Sequence, residues 1–327
     1  MREASIYTFR FNFVNSNNLV KSLASQIGRV NRDGVILGEN RIFFEDIYRV
    51  DFFKKNIIIA LFPFPTISKK LAAHLIPNHA TIVLRVGQYP EDLKHAINRR
   101  LSMKKVEERI SGMSKEEKKL FFQKMNCPHC DCMIDLTDLI KTPYIYCQYC
   151  ESLFDKHGYL TPGGNNYKAC PETGFFDRIG EHTDFRMYYL VKESRFSSHT
   201  YFCSDALAEI FFKENALKNA VFGVGLIVNT WDKLKASSKR HPAFELLTEG
   251  NVFAMRGQMT EADEHFYKVL LRHPHHPGVH LNYALGYLKI GEEEKALNHL
   301  RKSIEGCANY QPTKEILKKY TWSEEID

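Results

Sequence analysis

The chain has 327 residues, enough for about two to three domains of ordinary size. Hydrophobic residues make up 44% and charged residues 26%, which is globular usage and excludes a chain that is disordered throughout. The formal net charge of +6 is unevenly spread: residues 1–126 carry 22 Lys/Arg against 12 Asp/Glu, the remainder 23 against 27. The front half therefore presents either a solvated basic face or a surface for an anionic partner, lipid headgroups or nucleic acid. The most apolar runs, 57–64 and 220–228, fall far short of the roughly 20 residues a spanning helix needs. Residues 1–6 lack the pattern of a signal peptide, so the expected address is cytoplasmic, with reduced thiols.

Residues 5–14 read as a first strand, with Ile6, Phe9, Phe11 and Phe13 among aromatic and β-branched neighbours. Leu19, Val20, Leu23, Ala24 and Ile27 recur at three- and four-residue spacing and predict a short helix. Strands follow over 34–37, 41–44, 47–53, 56–62 and 81–86, separated by polar turns at 31–34, 38–40 and 54–56. Pro90-Glu91-Asp92 then opens a helix, with proline in the first turn and two acids at its positive end. Leu93, Ile97 and Leu101 give that helix an apolar stripe.

A small curled sheet closed by one amphipathic helix resembles a pleckstrin-homology-like domain of the bacterial type, over about residues 30–101. The resemblance rests on element order and on the run Ala-Thr-Ile-Val-Leu-Arg-Val-Gly at 80–87 followed by the helix. It implies a β-rich PH-like domain with closing helix over 1–101 that binds a phosphoinositide headgroup or a protein. Lys54, Lys55, Lys69 and Lys70 are the candidate anion-binding residues, although they form no recognisable headgroup signature. Residues 102–125 continue as a charged helical linker, in which Ser114 followed by Glu116 and Glu117 can cap a fresh helix after Gly112.

The sharpest signal comes next. Cys127-Pro128-His129-Cys130 and Cys147-Gln148-Tyr149-Cys150 are two Cys-x-x-Cys pairs with sixteen residues between them. Four thiolates at this spacing can close a tetrahedron around one structural Zn²⁺, and filling all four positions with protein leaves none for catalysis. Residues 126–155 resemble a zinc ribbon; redox-active pairs or an iron–sulfur site are the rival chemistries. His129 and Cys132 read as bystanders, since the ligand set is already complete. Ribbons also bind nucleic acid, and Tyr144, Tyr146 and Tyr149 can stack on bases, but only Lys141 and Lys156 lie near.

Over 156–240 the pattern is a finger-like hairpin, with strands at 175–179 and 185–191, followed by helices from Ser204-Asp205. Cys170, His182, His199 and Cys203 are candidate ligands of a second metal in a treble-clef layout. Thr173 stands where that layout expects a second cysteine, so a metal-free remnant is expected.

Residues 243–310 repeat with a period of 34: Gly250 with Ala284, Phe253 with Tyr287, Gly257 with Gly291, Ala262 with Ala296, Phe266 with Leu300 and Leu270 with Ile304. The register resembles tetratricopeptide repeats, two antiparallel helices per unit, over 241–327 with a capping helix at 313–322. The resemblance implies a concave groove for a protein or peptide partner, with Phe253, Ala262, Tyr287 and Ala296 as the repeat residues. A self-packing or dimerising module is the rival reading. The histidines of 273–280 are expected in an exposed polar turn.

The whole reads as an α+β multidomain protein: PH-like domain, zinc ribbon, degenerate finger-like middle and helical repeats. The expected function is a zinc-binding cytosolic adaptor acting through its repeats. The alternatives are a nucleic-acid-binding regulator using ribbon and basic front half, and a metal-dependent enzyme at the second Cys/His site. No catalytic residue is nominated.

Overall fold

The computed structural model describes residues 7–15, 19–20, 24–77, 79–87, 89–190, 193–220 and 239–321, without the side chains of 119, 183–190, 193–201, 214–220 and 321. It is a mixed α+β chain that divides into two units, Met1–Asp138 and Leu139–Asp327.

The first unit is built on seven antiparallel strands: β1 (Tyr7–Phe13), β2 (Gln26–Val30), β3 (Gly34–Leu37), β4 (Asn40–Phe43), β5 (Ile47–Phe53), β6 (Asn56–Leu61) and β7 (Thr81–Val86). Their order across the sheet is β4-β3-β2-β1-β7-β6-β5. β1 holds the sheet together, pairing with β2 through Tyr7↔Val30 and with β7 through Phe11↔Val86. Period-two alternation sends one face inward: Phe9, Phe11 and Phe13 from β1, Ile57, Ile59 and Leu61 from β6, Ile82, Leu84 and Val86 from β7 are all buried.

The helix expected around 19–27 gives way to strand at its end. Ile27 lies in β2 and is 53% exposed, because pairing Phe11 with Gln26 turns Gly28 and Val30 inward instead. Residues 21–23 lie outside the described chain. Cross-strand register overrides a local three- and four-residue spacing here.

A one-turn helix, α1 (Lys69–Ala72), precedes β7, and α2 (Pro90–Ser111) follows it. At 22 residues α2 is about 33 Å long. It runs unbroken through the expected boundary at 101/102. Its buried Leu93, Ile97 and Leu101 cover the sheet, and buried Lys94 reaches Asp51 at 3.0 Å. α3 (Lys115–Phe121) starts from a capping box: Ser114 Oγ accepts from Glu117 N–H, and the Glu117 carboxylate accepts from Ser114 N–H. β8 (Lys124–Asn126) and β9 (Met133–Asp135) then form a short hairpin.

The second unit begins with the hairpin β10 (Tyr144–Tyr146) and β11 (Leu153–Asp155). A three-stranded sheet follows, in order β12 (Tyr167–Ala169), β13 (Phe176–Leu190), β14 (Glu193–Ser204). α4 (Asp205–Ala220) follows directly. Two helix pairs come next, α5 (Leu247–Met255) with α6 (Met259–Leu270) and α7 (Pro277–Lys289) with α8 (Glu293–Gly306), then α9 (Gln311–Thr321). Gly257 and Gly291 turn each pair at φ +75 and +78, a conformation L side chains rarely adopt. Ala262 and Ala296 are wholly buried where the helices cross.

The turn at 273–280 corrects the sequence expectation. His276 and His280 are buried rather than solvated. Pro277 starts α7, so His276 becomes its N-cap, with Val279 N–H donating to Nδ1 at 3.3 Å. The ring packs among Phe176, Phe244 and Tyr144. Burial, with the neighbouring His273 and His280, pushes its pKa down to about 3, so the imidazole is neutral at physiological pH.

Candidate metal centre

Each Cys-x-x-Cys pair is the turn of a hairpin, Cys127 and Cys130 between β8 and β9, Cys147 and Cys150 between β10 and β11. The two turns are built alike. Cys127 N–H donates to Cys132 O (2.9 Å) and Asp131 N–H to Cys127 O (2.9 Å); Cys147 N–H donates to Ser152 O (2.9 Å) and Glu151 N–H to Cys147 O (2.7 Å). Asp131 and Glu151, one residue after each second cysteine, are both left-handed, at φ 58 and 64. That pays strain for a tight turn that aims two sulfurs the same way.

All four cysteines are buried, and their Sγ atoms lie within 4.8 Å of one another. A zinc ion with Zn–S bonds of about 2.3 Å needs sulfurs about 3.8 Å apart. Number, softness, burial and spacing of these donors thus fit one metal ion such as zinc. Such an ion would hold the two hairpin turns and offer no open position.

A third turn has the same backbone. Cys170 N–H donates to Phe175 O (2.9 Å), Gly174 N–H donates to Cys170 O (2.7 Å), and Gly174 takes φ 77 at the position equivalent to Asp131 and Glu151. Thr173 occupies the second-cysteine position, and Cys170 Sγ lies 3.0 Å from Glu172 Oε2. Cys170, His182 and Cys203 do not gather into a metal-ligand group; His199 is placed only by its backbone, opposite Asp184.

The middle of the unit instead holds a buried ionic network. Asp205 accepts from Arg178 Nε (2.9 Å) and Nη2 (2.6 Å) and from Arg240 Nε (3.0 Å), and His182 Nε2 lies 3.3 Å away. Burial would raise the Asp205 carboxyl, but His182, Arg178 and Arg240 outweigh it and hold the pKa below the usual range. Asp177 beside it is wholly buried and accepts from Ala206 N–H (2.9 Å), Arg178 N–H (2.8 Å) and Thr248 Oγ1 (3.0 Å). Burial, then the Asp205 charge, pushes its pKa up to about 6. Burial likewise raises the Cys203 thiol to about 12, so it stays protonated. Arg178 and Arg240 carry no local signal in the sequence, and Asp205 reads there only as the start of a helix, because the partners are far apart along the chain.

The repeat helices grip the chain itself. Phe176 N–H donates to Asn282 Oδ1 (2.6 Å), while Phe176 O accepts from Asn282 Nδ2 (2.8 Å) and Asn251 Nδ2 (3.0 Å). Thr248 and Asn282, 34 residues apart, hold Asp177 and Phe176, which are neighbours. The Phe176 ring packs on Tyr167, Phe244 and His276, and lies against the backbone of Gly278, where a Cβ would overlap it. Phe253 and Tyr287 are half-buried; Tyr287 packs on Tyr283 and His299 under Lys295.

Lys54 and Lys55 turn the chain into β6, whereas Lys69 and Lys70 follow its other end on α1, with Lys70 paired to Glu39 at 3.3 Å. A cleft of about 630 Å³ lies beside the second hairpin, lined by Lys141, Tyr144, Lys156, His157, Tyr159 and Pro162 among others. His129 has its own neighbours: one ligand atom each from Glu91, His95 and His129 lie within 4.8 Å of one another.

Comparison with known proteins finds no family model, no curated protein and no solved structure that matches the chain. No helix among the described residues is long and apolar enough to cross a membrane.

Proposed function

We propose that this protein is a zinc-stabilised cytoplasmic scaffold that works by holding polypeptide. One observation carries the reading: paired helices grip an extended main chain through the amides of Asn251 and Asn282, which recognise backbone rather than any particular side chain. The recurrence of turn glycines, buried alanines and gripping side chains at a 34-residue period supports reading 241–327 as tetratricopeptide-like. The strand order of the front sheet with its closing α2 supports a PH-like reading of 1–101. Cys127, Cys130, Cys147 and Cys150 hold the zinc.

The groove already contains the chain's own strand, so the partner protein meets another face. Tyr267 on α6 and Leu271 at its C-cap, 58% and 64% exposed and four residues apart, are its anchors. Capture of the full-length protein from nuclease-treated native cytosol, beside a Tyr267→Glu/Leu271→Glu double variant, tests this. A defined protein lost with the double variant supports it. Recovery of nuclease-sensitive material alone refutes it.

A second reading rests on the 630 Å³ cleft, where Tyr144 and Tyr159 stand with Lys141, Lys156 and His157. Aromatic faces beside cations suit single-stranded nucleic acid. Binding of a single-stranded oligonucleotide that weakens steeply with salt and with Tyr159→Ala would favour it.

A further inference from the structure

Helix α2 carries a polar stripe distinct from the apolar one that covers the sheet. Positions 91, 95, 99 and 102 recur every three or four residues and therefore share a face. Three of them meet the segment around the first cysteine turn in sequence. The His95 and His129 rings stand edge to face with centroids 5.6 Å apart, Arg99 Nε is 3.4 Å from Asp131, and Ser102 Oγ accepts from Met133 N–H at 2.9 Å. Glu91 extends the stripe by one turn, and one of its carboxylate oxygens lies within 4.8 Å of a ring nitrogen of each imidazole.

We propose that Glu91, His95 and His129 form a second metal site, for a divalent transition-metal ion of the zinc class. Two imidazoles and a carboxylate are borderline-to-hard donors, unlike the four thiolates nearby, and suit Zn²⁺, Co²⁺ or Ni²⁺. The rigid spacing of Glu91 and His95 on one helix places two ligands, and the Cys-x-x-Cys turn supplies the third. His95 and His129 are half-buried and Glu91 is exposed, so an ion can enter from solvent and keep water in its remaining positions. Three protein ligands make this the open counterpart of the closed four-cysteine centre. The site is additional to the proposed structural zinc and needs the first turn held in place.

Cobalt distinguishes the two centres. The metal-stripped, reduced full-length protein is titrated with Co²⁺ and followed by absorption. Binding to the cysteines gives intense thiolate-to-cobalt charge transfer; binding to Glu91, His95 and His129 gives weaker visible absorption without it. A second equivalent of the latter kind is expected, with its affinity reduced at least about 10- to 100-fold in His95→Ala and Glu91→Gln while the charge-transfer band is unchanged. Saturation with the charge-transfer band alone overturns the proposal, as does a second equivalent that both variants retain. Absence of the charge-transfer band would instead refute the four-cysteine reading, and visible absorption lost in His95→Ala would still support the second site.

Discussion

Replacing Asn282 by Ala should destabilise the protein far more than replacing Asn251, although both amides hold the same residue. Asn282 is wholly buried and uses both ends of its amide: Oδ1 accepts from Phe176 N–H, and Nδ2 donates to Phe176 O and to Asn251 Oδ1 at 2.6 Å. Truncation leaves two buried groups without these partners, the Phe176 N–H and the Asn251 carbonyl. At about 1–3 kcal/mol each, partly relieved by local relaxation, the loss is about 3 kcal/mol. Asn251→Ala leaves Phe176 O its other donor and strands only one of the two Asn282 Nδ2 hydrogens, so one buried group rather than two loses its partner, and about 1 kcal/mol is expected after the same local relaxation. Urea unfolding at saturating zinc reads the difference. With a slope of about 2 kcal/mol per molar, Asn282→Ala should shift the midpoint by about 1.5 M and Asn251→Ala by about 0.5 M. The Phe176 amide should also lose hydrogen-exchange protection in the first variant only. Equal midpoints, or a larger loss in Asn251→Ala, would refute the account of how the helices hold this strand.

Cys147→Ser should abolish tight metal binding at the four-cysteine group and lower the melting temperature; full metal content with unchanged melting would exclude that site. Gly278→Ala should cost about 1–3 kcal/mol, because its Cβ meets the Phe176 ring rather than the end of a flexible chain, and an unchanged urea midpoint would show that the strand is not seated there. Asp177 gives a pH dependence of definite sign: its folded pKa, about 6, lies above the ordinary 3.8, so the folded state holds a proton that the unfolded chain releases. Its contribution is complete below about pH 4 and lost by about pH 6, so the stability of the parent relative to Asp177→Asn should fall by on the order of 3 kcal/mol across that window; a flat difference would contradict the raised pKa.

What the sequence disclosed is what short-range chemistry decides. The two Cys-x-x-Cys turns, the Ser114 capping box and the inward alternation of β6 and β7 each close within a few residues, so their spacing carries their geometry. The turn at 170–175 closes locally too: it keeps the backbone hydrogen bonds of the other two, with Thr173 where they have a second cysteine. Where distant segments decide, local pattern misled. Ile27 followed its strand register, and His276 was buried by Phe176, a hundred residues earlier. Glu91 and His95 stood in plain view at helical spacing, but nothing near them in sequence pointed to His129. The repeats, however, held a signal that composition alone could have raised. Thr248 and Asn282 occupy the same position of successive units, among residues that pack the helix interior. A polar side chain at a recurrent interior position must be satisfied by something, because leaving it unmet costs more than an apolar replacement. Mid-helix backbone groups are already paired, so such a side chain turns to another side chain, a helix end or an extended segment, and here Thr248 meets the Asp177 carboxylate while Asn282 meets the Phe176 main chain. Phe176–Asp177, at the start of the longest strand in the unit, is that segment.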